Sequence, residues 1–348
     1  MGHSHRIRIS SWLFCKSNYF KDFKLKLKTF IELLRPFTLI PPLLGILSGS
    51  ACAYGSIHNP HSYFSLNLFL TLLLGSICAS ILNGASNIIN QVYDVEIDRF
   101  NKPSRPIPSG RVSLKEAKNI SYSLYLIALL PMWWIVPPPY DKDFLSRAFA
   151  PIYHHSTFFL FLAGLILTFV YSSPTLGRTK QNTYSSNFTI ALARGELLKV
   201  AGWAMVAPVF YFEPWYLGFI FFLFLLGSTS TKDFSDIEGD RKFHCLTLPV
   251  RFGEVKSAKI IAPFFIFPWI LFPIGLLIKV DDQPLLTGNP ILLISLFLIL
   301  TLWGIYTVKL ILKDPKSLSR SENHPSWKQM YLMMMFAQIG LAIAYIVK

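Results

Sequence analysis

The chain has 348 residues, 52% hydrophobic and only 15% charged, with 33 Lys and Arg against 19 Asp and Glu and a formal net charge of +14. Soluble domains carry about 25% charged residues, so the composition excludes an ordinary soluble protein as well as a disordered or collagen-like chain. The four cysteines, Cys15, Cys52, Cys78 and Cys245, are scattered without CxxC spacing, which argues against a disulfide framework or a cysteine metal cage.

Residues 1–30 carry Arg6, Arg8, Lys16, Lys21, Lys24, Lys26 and Lys28 among aromatics such as Trp12, Phe14, Tyr19 and Phe20. This predicts a basic amphipathic segment on the membrane surface, followed by a membrane domain over 31–348. No apolar stretch with a small-residue cleavage site follows, so a cleaved signal peptide is not expected. Arg at position 6 departs from the myristoylation pattern that Met1-Gly2 begins.

A bilayer core takes about 20 apolar residues per helix. Nine windows fit, at 36–56, 66–92, 118–137, 156–171, 187–208, 215–231, 258–278, 290–308 and 329–347. The second runs long and ends in polar residues, and the fourth is short. With the N-terminus cytoplasmic, the inner segments hold 27 of the 33 Lys and Arg, the outer ones only Lys142, Arg147, Lys279 and Lys348. This asymmetry predicts a multi-pass protein with the N-terminus inside. The positive charge is accounted for by topology and anionic lipid, and no nucleic-acid partner is expected.

Seven carboxylates fall in two groups: Asn90-Gln-Val-Tyr-Asp94-Val-Glu96-Ile-Asp98 after the second window, and Asp233-Phe-Ser-Asp236-Ile-Glu238-Gly-Asp240 after the sixth. On a continuing helix, Asn90, Asp94 and Asp98 stack on one face while Glu96 points away. Asp233, Asp236 and Asp240 likewise share a face. Like charges at that spacing repel unless a cation bridges them, and hard oxygen donors of this kind suit Mg²⁺ held together with a substrate phosphate.

Cations follow each group. Arg99-Phe-Asn-Lys102-Pro-Ser-Arg105-Pro-Ile-Pro-Ser-Gly110-Arg111 is too proline-rich for a helix. Arg241 and Lys242 follow the second group, and Tyr171-Ser-Ser-Pro174-Thr-Leu-Gly-Arg178-Thr-Lys180 forms a third inner loop. Carboxylates beside Lys and Arg are what binding a diphosphate through Mg²⁺ requires. Lys102, Arg105 and Arg241 stand close to the carboxylates in sequence. Within windows, Arg194, Glu196 and Lys199 are expected to face an interior or a cavity, either pairing with one another or meeting an acceptor.

The combination of NQVYDVEID and RPIPSG with KDFSDIEGDRK and TLPVRFG resembles the UbiA-type intramembrane prenyltransferase superfamily, over essentially all of the chain after residue 30. The resemblance implies an all-α membrane protein: nine transmembrane helices in a single bundle with a central cavity, and two Asp-rich motifs at the cytoplasmic side. It implies that Asn90, Asp94 and Asp98 bind Mg²⁺ and a prenyl diphosphate, with Asp236 and Asp240 doing so from the other half, the four aspartates being catalytic. Asp233 matches a further acidic position. Lys180 resembles a basic residue near the diphosphate, and Arg35, in Leu-Arg-Pro, a substrate-facing arginine. Tyr171, Lys102, Arg105, Arg241 and Lys242 complete the candidate substrate-binding set. Two departures are Gln91, where many members have Asp, and Phe243-His244-Cys245, where a glycine-containing turn is usual.

The implied reaction is ionisation of an allylic diphosphate, the leaving group stabilised by Mg²⁺ and cations, and capture of the allylic group by an acceptor in a water-poor cavity. A geranylgeranyl-like donor is favoured. The acceptor is either a quinone-ring precursor or a glycerophosphate ether. The main alternative is a transporter or divalent-cation channel that uses the acidic stripes, and a second is an inactive isoprenoid-binding relative.

Overall fold

The computed structural model describes residues 24–61, 63–320 and 324–347, so most of the basic segment at 1–30 lies outside the described residues. A helix over 24–34 (α1) leads through a 3₁₀ turn, Pro36–Leu39, into α2 (Ile40–Gly55). There follow α3 (Leu66–Tyr93), α4 (Val95–Asn101), α5 (Leu114–Leu129), α6 (Phe144–Ala148), α7 (Ser156–Ser172), α8 (Thr183–Ala191) and α9 (Leu198–Ala204), the last two joined by a π-helical stretch, Leu192–Leu197. After α10 (Phe212–Ser228) and the 3₁₀ segment Thr229–Asp236 come α11 (Ile237–Lys242), α12 (Leu248–Ile261) and α13 (Leu271–Leu277). The chain ends with α14 (Pro290–Lys313), α15 (Ser317–Arg320) and α16 (Pro325–Ile346). The only strands among the described residues form a two-stranded antiparallel hairpin, Lys279–Val280 with Gln283–Pro284, and an isolated bridge joins Asn182 to Leu246.

Each of the nine sequence windows falls on helix. Six helical stretches among the described residues are long and apolar enough to cross a bilayer: Pro36–Gly55, Leu66–Tyr93, Phe212–Lys242, Leu248–Leu277, Pro290–Lys313 and Pro325–Ile346. Ser156–Ser172 is apolar but shorter. The helix at 114–134 starts earlier than its window because Ser113 and Glu116 form a reciprocal cap, which draws Lys115 and Lys118 into its first turns. The helical run over 183–204 carries Arg194, Glu196 and Lys199.

The helices close into a ring. α5 packs on α3, α3 on α2, α2 on α16 and α16 on α14; α12 and α13 link α14 to α10, which meets α9, and α7 returns to α3. Trp203, Phe221, Phe224, Trp269 and Phe272 are fully buried inside, while Phe69, Leu73 and Ile77 of α3 and Leu298, Leu302 and Ile305 of α14 are exposed, as surfaces meeting hydrocarbon are.

α2 also packs tightly on α9, through small residues. A Cβ on Gly49 would stand 2.3 Å from the Lys199 carbonyl oxygen, one on Gly202 would stand 2.4 Å from that of Ile46, and the Ser50 hydroxyl donates to the Gly202 carbonyl at 2.8 Å. Small residues four apart let membrane helices approach this closely, and Gly45 and Gly49 have that spacing. Gly49→Leu is expected to destabilise the bundle by at least the ~1–3 kcal/mol of core overpacking, measured as a lowered unfolding temperature in detergent; an unchanged temperature would contradict this packing. At the end of α10 remote from the Asp groups, buried Glu213 accepts hydrogen bonds from Ser56 Oγ (2.6 Å), Thr287 N (2.7 Å) and Tyr345 OH (2.6 Å).

Candidate active site

Both acidic groups are built at a break between two helical segments. α3 ends at Tyr93 and α4 begins at Val95, with Asp94 between them at φ −100° and ψ 9°. The hydrogen-bond ladder carries on through the break: Asp94 N–H donates to Asn90 O at 2.9 Å and Asp98 N–H to Asp94 O at 2.8 Å. The four-residue spacing therefore survives, and Asn90, Asp94 and Asp98 line one cavity, while Glu96 is exposed and pairs with Arg99. In the second group Asp236, at φ −108° and ψ 7°, joins the 3₁₀ segment to α11, and Asp233, Asp236 and Asp240 reach the same cavity. The two groups thus share a backbone device as well as composition.

The cavity has a volume of about 510 Å³. Its wall carries five carboxylates and six cations, the latter being Arg35, Lys102, Arg105, Lys180, Arg194 and Lys232. Tyr171 also lines it, as do Phe37, Leu167, Ile190 and Trp327 on the apolar side. The proline loop after α4 folds its cations back onto the carboxylates. Arg105 places one guanidinium nitrogen 2.7 Å from both Asp98 oxygens, and Lys102 crosses to Asp236 at 3.0 Å, which links the two motifs directly. From the loop before α8, Arg178 meets Asp94 at 3.0 Å, and Lys180 pairs with the other oxygen of Asp94. Thr247 Oγ1 donates to Asp240 at 3.3 Å. Burial works against the Lys180 ammonium, but Asp94 together with Tyr171 holds the group above the ordinary lysine range.

Arg35 and Arg178 sit at φ 54° and 39°, a left-handed backbone that costs a non-glycine residue of order 1–3 kcal/mol and collects at functional sites. Asn90 donates to Ser172 Oγ at 3.2 Å.

Arg241 and Lys242 are not brought to the cavity. They lie one and two residues beyond Asp240, so the 100° step of the helix turns them off its face. Both are exposed, and the Lys242 ammonium lies 4.2 Å from the Phe100 ring centre. Conversely, Arg178 and Lys232 reach the site without standing in the candidate set. Lys232 precedes Asp233 in a 3₁₀ segment, where faces repeat every three residues, and Arg178 is delivered by a turn through Gly177 at φ 93°. Gln91 turns away and donates to the Leu33 carbonyl at 2.9 Å, anchoring α1. Arg194, Glu196 and Lys199 form no ion pair with one another among the described residues: Arg194 lines the cavity, Glu196 lies against Gly218, and Lys199 is buried and donates to Ser48 Oγ.

No three His, Cys, Asp or Glu side chains among the described residues are gathered as a ready metal cage. The arrangement instead keeps hard oxygens close to neutral with Lys and Arg around a space large enough for a phosphorylated ligand. Arg105→Ala leaves the buried Asp98 carboxylate uncompensated and removes a guanidinium from this wall. It is expected to weaken diphosphate binding by about 10- to 100-fold with less effect on the acceptor, read as separate KM values; equal effects on both would make Arg105 a loop-forming residue only.

These features define a multi-pass helical membrane protein with an acid-and-base-lined cavity suited to anionic ligands. The sequence matches the UbiA prenyltransferase family over residues 43–320. Relatives include digeranylgeranylglyceryl phosphate synthases of Methanococcus maripaludis, 30% identical over 71% of this chain and 77% of that protein, and of Methanococcoides burtonii, 27% identical over 91% and 99%. Among solved structures, a digeranylgeranylglyceryl phosphate synthase superposes with a TM-score of 0.61 at 24% identity, covering 92% of this chain and 99% of the other. An Archaeoglobus fulgidus UbiA homologue bound to GPP and Mg²⁺ gives 0.60 at 19% identity, covering 90% and 99%. The chain belongs to the UbiA prenyltransferase family and is a multi-pass membrane prenyltransferase.

Proposed function

We propose that the protein transfers a geranylgeranyl-like group from its diphosphate to the free hydroxyl of a glycerophosphate ether, in a Mg²⁺-dependent reaction at the cavity between the two Asp motifs. The observation that carries this reading is the convergence of Asp94, Asp98, Asp233, Asp236 and Asp240 with six cations on one cavity. The naming of the relatives as digeranylgeranylglyceryl phosphate synthases supports the phosphorylated acceptor over a quinone-ring precursor. In the reading, all nine windows cross the bilayer as one bundle over 31–348. The N-terminus is cytoplasmic, and 1–30 lies on the inner leaflet.

Mg²⁺ suits the donor set. The carboxylates offer hard oxygens, and six cations nearly balanced by five carboxylates leave little charge to offset a diphosphate. Bound there with Asn90, Asp94, Asp98, Asp236 and Asp240, the metal would neutralise the departing diphosphate. The chain's own residues then do the rest. Lys102, Arg105 and Lys180 exchange a carboxylate for phosphate oxygens and hold the leaving group. The apolar wall excludes water, so the acceptor hydroxyl captures the prenyl carbon. The C–O bond to the diphosphate breaks with its electron pair going to the diphosphate, a C–O ether bond forms, and the hydroxyl proton passes to the departing diphosphate.

The test is a membrane assay with radiolabelled geranylgeranyl diphosphate and a panel comprising a glycerophosphate ether, 4-hydroxybenzoate, homogentisate and a dihydroxynaphthoate. A labelled product with the glycerophosphate ether alone is expected. Product with one of the ring acids alone would move the protein to the quinone-precursor branch. Diphosphate-independent cation flux with no product would favour a channel.

A further inference from the structure

The six cations of the cavity divide into two sets. Lys102, Arg105 and Lys180 each hold a motif carboxylate. Arg35, Arg194 and Lys232 form no ion pair among the described residues, although all three line the same space. Three separate elements bring them there: the turn before α2 carries Arg35, the π-helical stretch Arg194, and the 3₁₀ segment before α11 Lys232. Like charges gathered beside apolar walls repel and are poorly hydrated, and an anion placed among them removes that cost. Tyr171 and Tyr331 line the same cavity and add phenolic donors.

The backbone at Arg194 is itself irregular. Leu192–Leu197 is a π-helical stretch inside an otherwise α-helical segment, a feature that is uncommon and concentrates at functional sites. Gly195 makes it possible: a Cβ there would stand 2.5 Å from the Phe222 nitrogen, so the widened turn is pressed onto α10. Of the three charges in this helix, Arg194 alone is delivered to the cavity, while Glu196 and Lys199 go to α10 and α2.

The reaction proposed above brings two anions into one cavity, the diphosphate of the donor and the phosphate of the acceptor. Resting on that reading, we infer that Arg194 and Lys232, flanked by Arg35 and Tyr171, form a separate subsite for the phosphate monoester of the acceptor, and that this subsite selects a phosphorylated lipid over a neutral one. The Asp-paired cations serve the diphosphate.

The experiment uses the full-length protein in nanodiscs with Mg²⁺ and geranylgeranyl diphosphate. Acceptor KM is measured for a glycerophosphate ether and for the same ether without its phosphate, and donor KM is measured in parallel. Arg194→Gln and Lys232→Gln are expected to raise KM for the phosphorylated acceptor by about 10- to 100-fold, to leave donor KM unchanged and to narrow the preference for the phosphorylated acceptor. Arg194→Lys is expected to recover part of the loss. An unchanged donor KM also reports an intact fold. A donor KM that rises as much as the acceptor KM would assign these cations to the diphosphate, and unaltered acceptor kinetics would remove the subsite. A wild-type protein that prenylates a ring acid but no glycerophosphate ether would instead reject the acceptor reading on which the subsite rests.

Discussion

Replacing Asp94 by asparagine is expected to lower prenyl transfer by about 10²- to 10³-fold, the loss typical of removing one electrostatic element from a preorganised site. The amide keeps the shape of the joint between α3 and α4 but removes the charge that Arg178 and Lys180 share. It therefore loses an oxygen donor and leaves two half-buried cations uncompensated. Asp236→Asn, which frees Lys102 from the opposite motif, is expected to act in the same direction. Both are read as turnover of radiolabelled diphosphate by detergent-solubilised protein. Recovery from the membrane and gel-filtration behaviour serve as controls for folding. Near-normal turnover in either variant would place the chemistry elsewhere.

Chelation of divalent cations is expected to abolish turnover, with full recovery on adding back Mg²⁺. Asp94, Asp98 and Asp236 are already engaged by Lys or Arg in the described structure, and among the described residues no cluster is poised as a cage. A metal arriving alone must displace an ammonium or guanidinium, which costs a charge-assisted hydrogen bond. Arriving with a diphosphate, it gives those cations new phosphate partners. Mg²⁺ is therefore expected to bind weakly to the free protein and strongly in the presence of a non-hydrolysable prenyl diphosphate analogue, as isothermal titration would show. Turnover that persists in excess chelator would reject the metal requirement. Tight Mg²⁺ binding without diphosphate would reject the coupling.

The stripes Asn90–Asp94–Asp98 and Asp233–Asp236–Asp240 were legible because residue spacing alone places them on a face, and the hydrogen-bond ladder preserves that face across the break at Asp94. The breaks themselves were not legible, since nothing in Tyr-Asp-Val or Ser-Asp-Ile interrupts a helix by propensity. Adjacency misled at Arg241 and Lys242: being next to a carboxylate in sequence puts a side chain on another face of the helix. Lys232 depends on 3₁₀ geometry, which changes the angular step per residue, and periodicity arguments assume one step throughout. Arg178 depends on a left-handed backbone that the surrounding fold imposes. In the fold, the windows read from apolar length all overlap helix, six of them in stretches long and apolar enough to cross a bilayer. Arg194 and Lys199 turn inward as their place in an apolar window implied, although the neighbours each meets depend on packing.

The Glu213 carboxylate ties the end of α2 through Ser56, the approach to α14 through Thr287 and the end of α16 through Tyr345. Three elements that meet at one buried carboxyl cannot separate there without leaving its hydrogen-bonding groups unpaired, at a cost of about 1–3 kcal/mol each. At the other end the elements are joined by ion pairs instead, Lys102 with Asp236 and Arg178 and Lys180 with Asp94. That end is edged by the joints at Asp94 and Asp236 and by the proline loop, whose contacts are ion pairs that can be exchanged for ligand. One end of the bundle is thus held by hydrogen bonds to a buried side chain, and the end that meets ligand is held by exchangeable charge pairs.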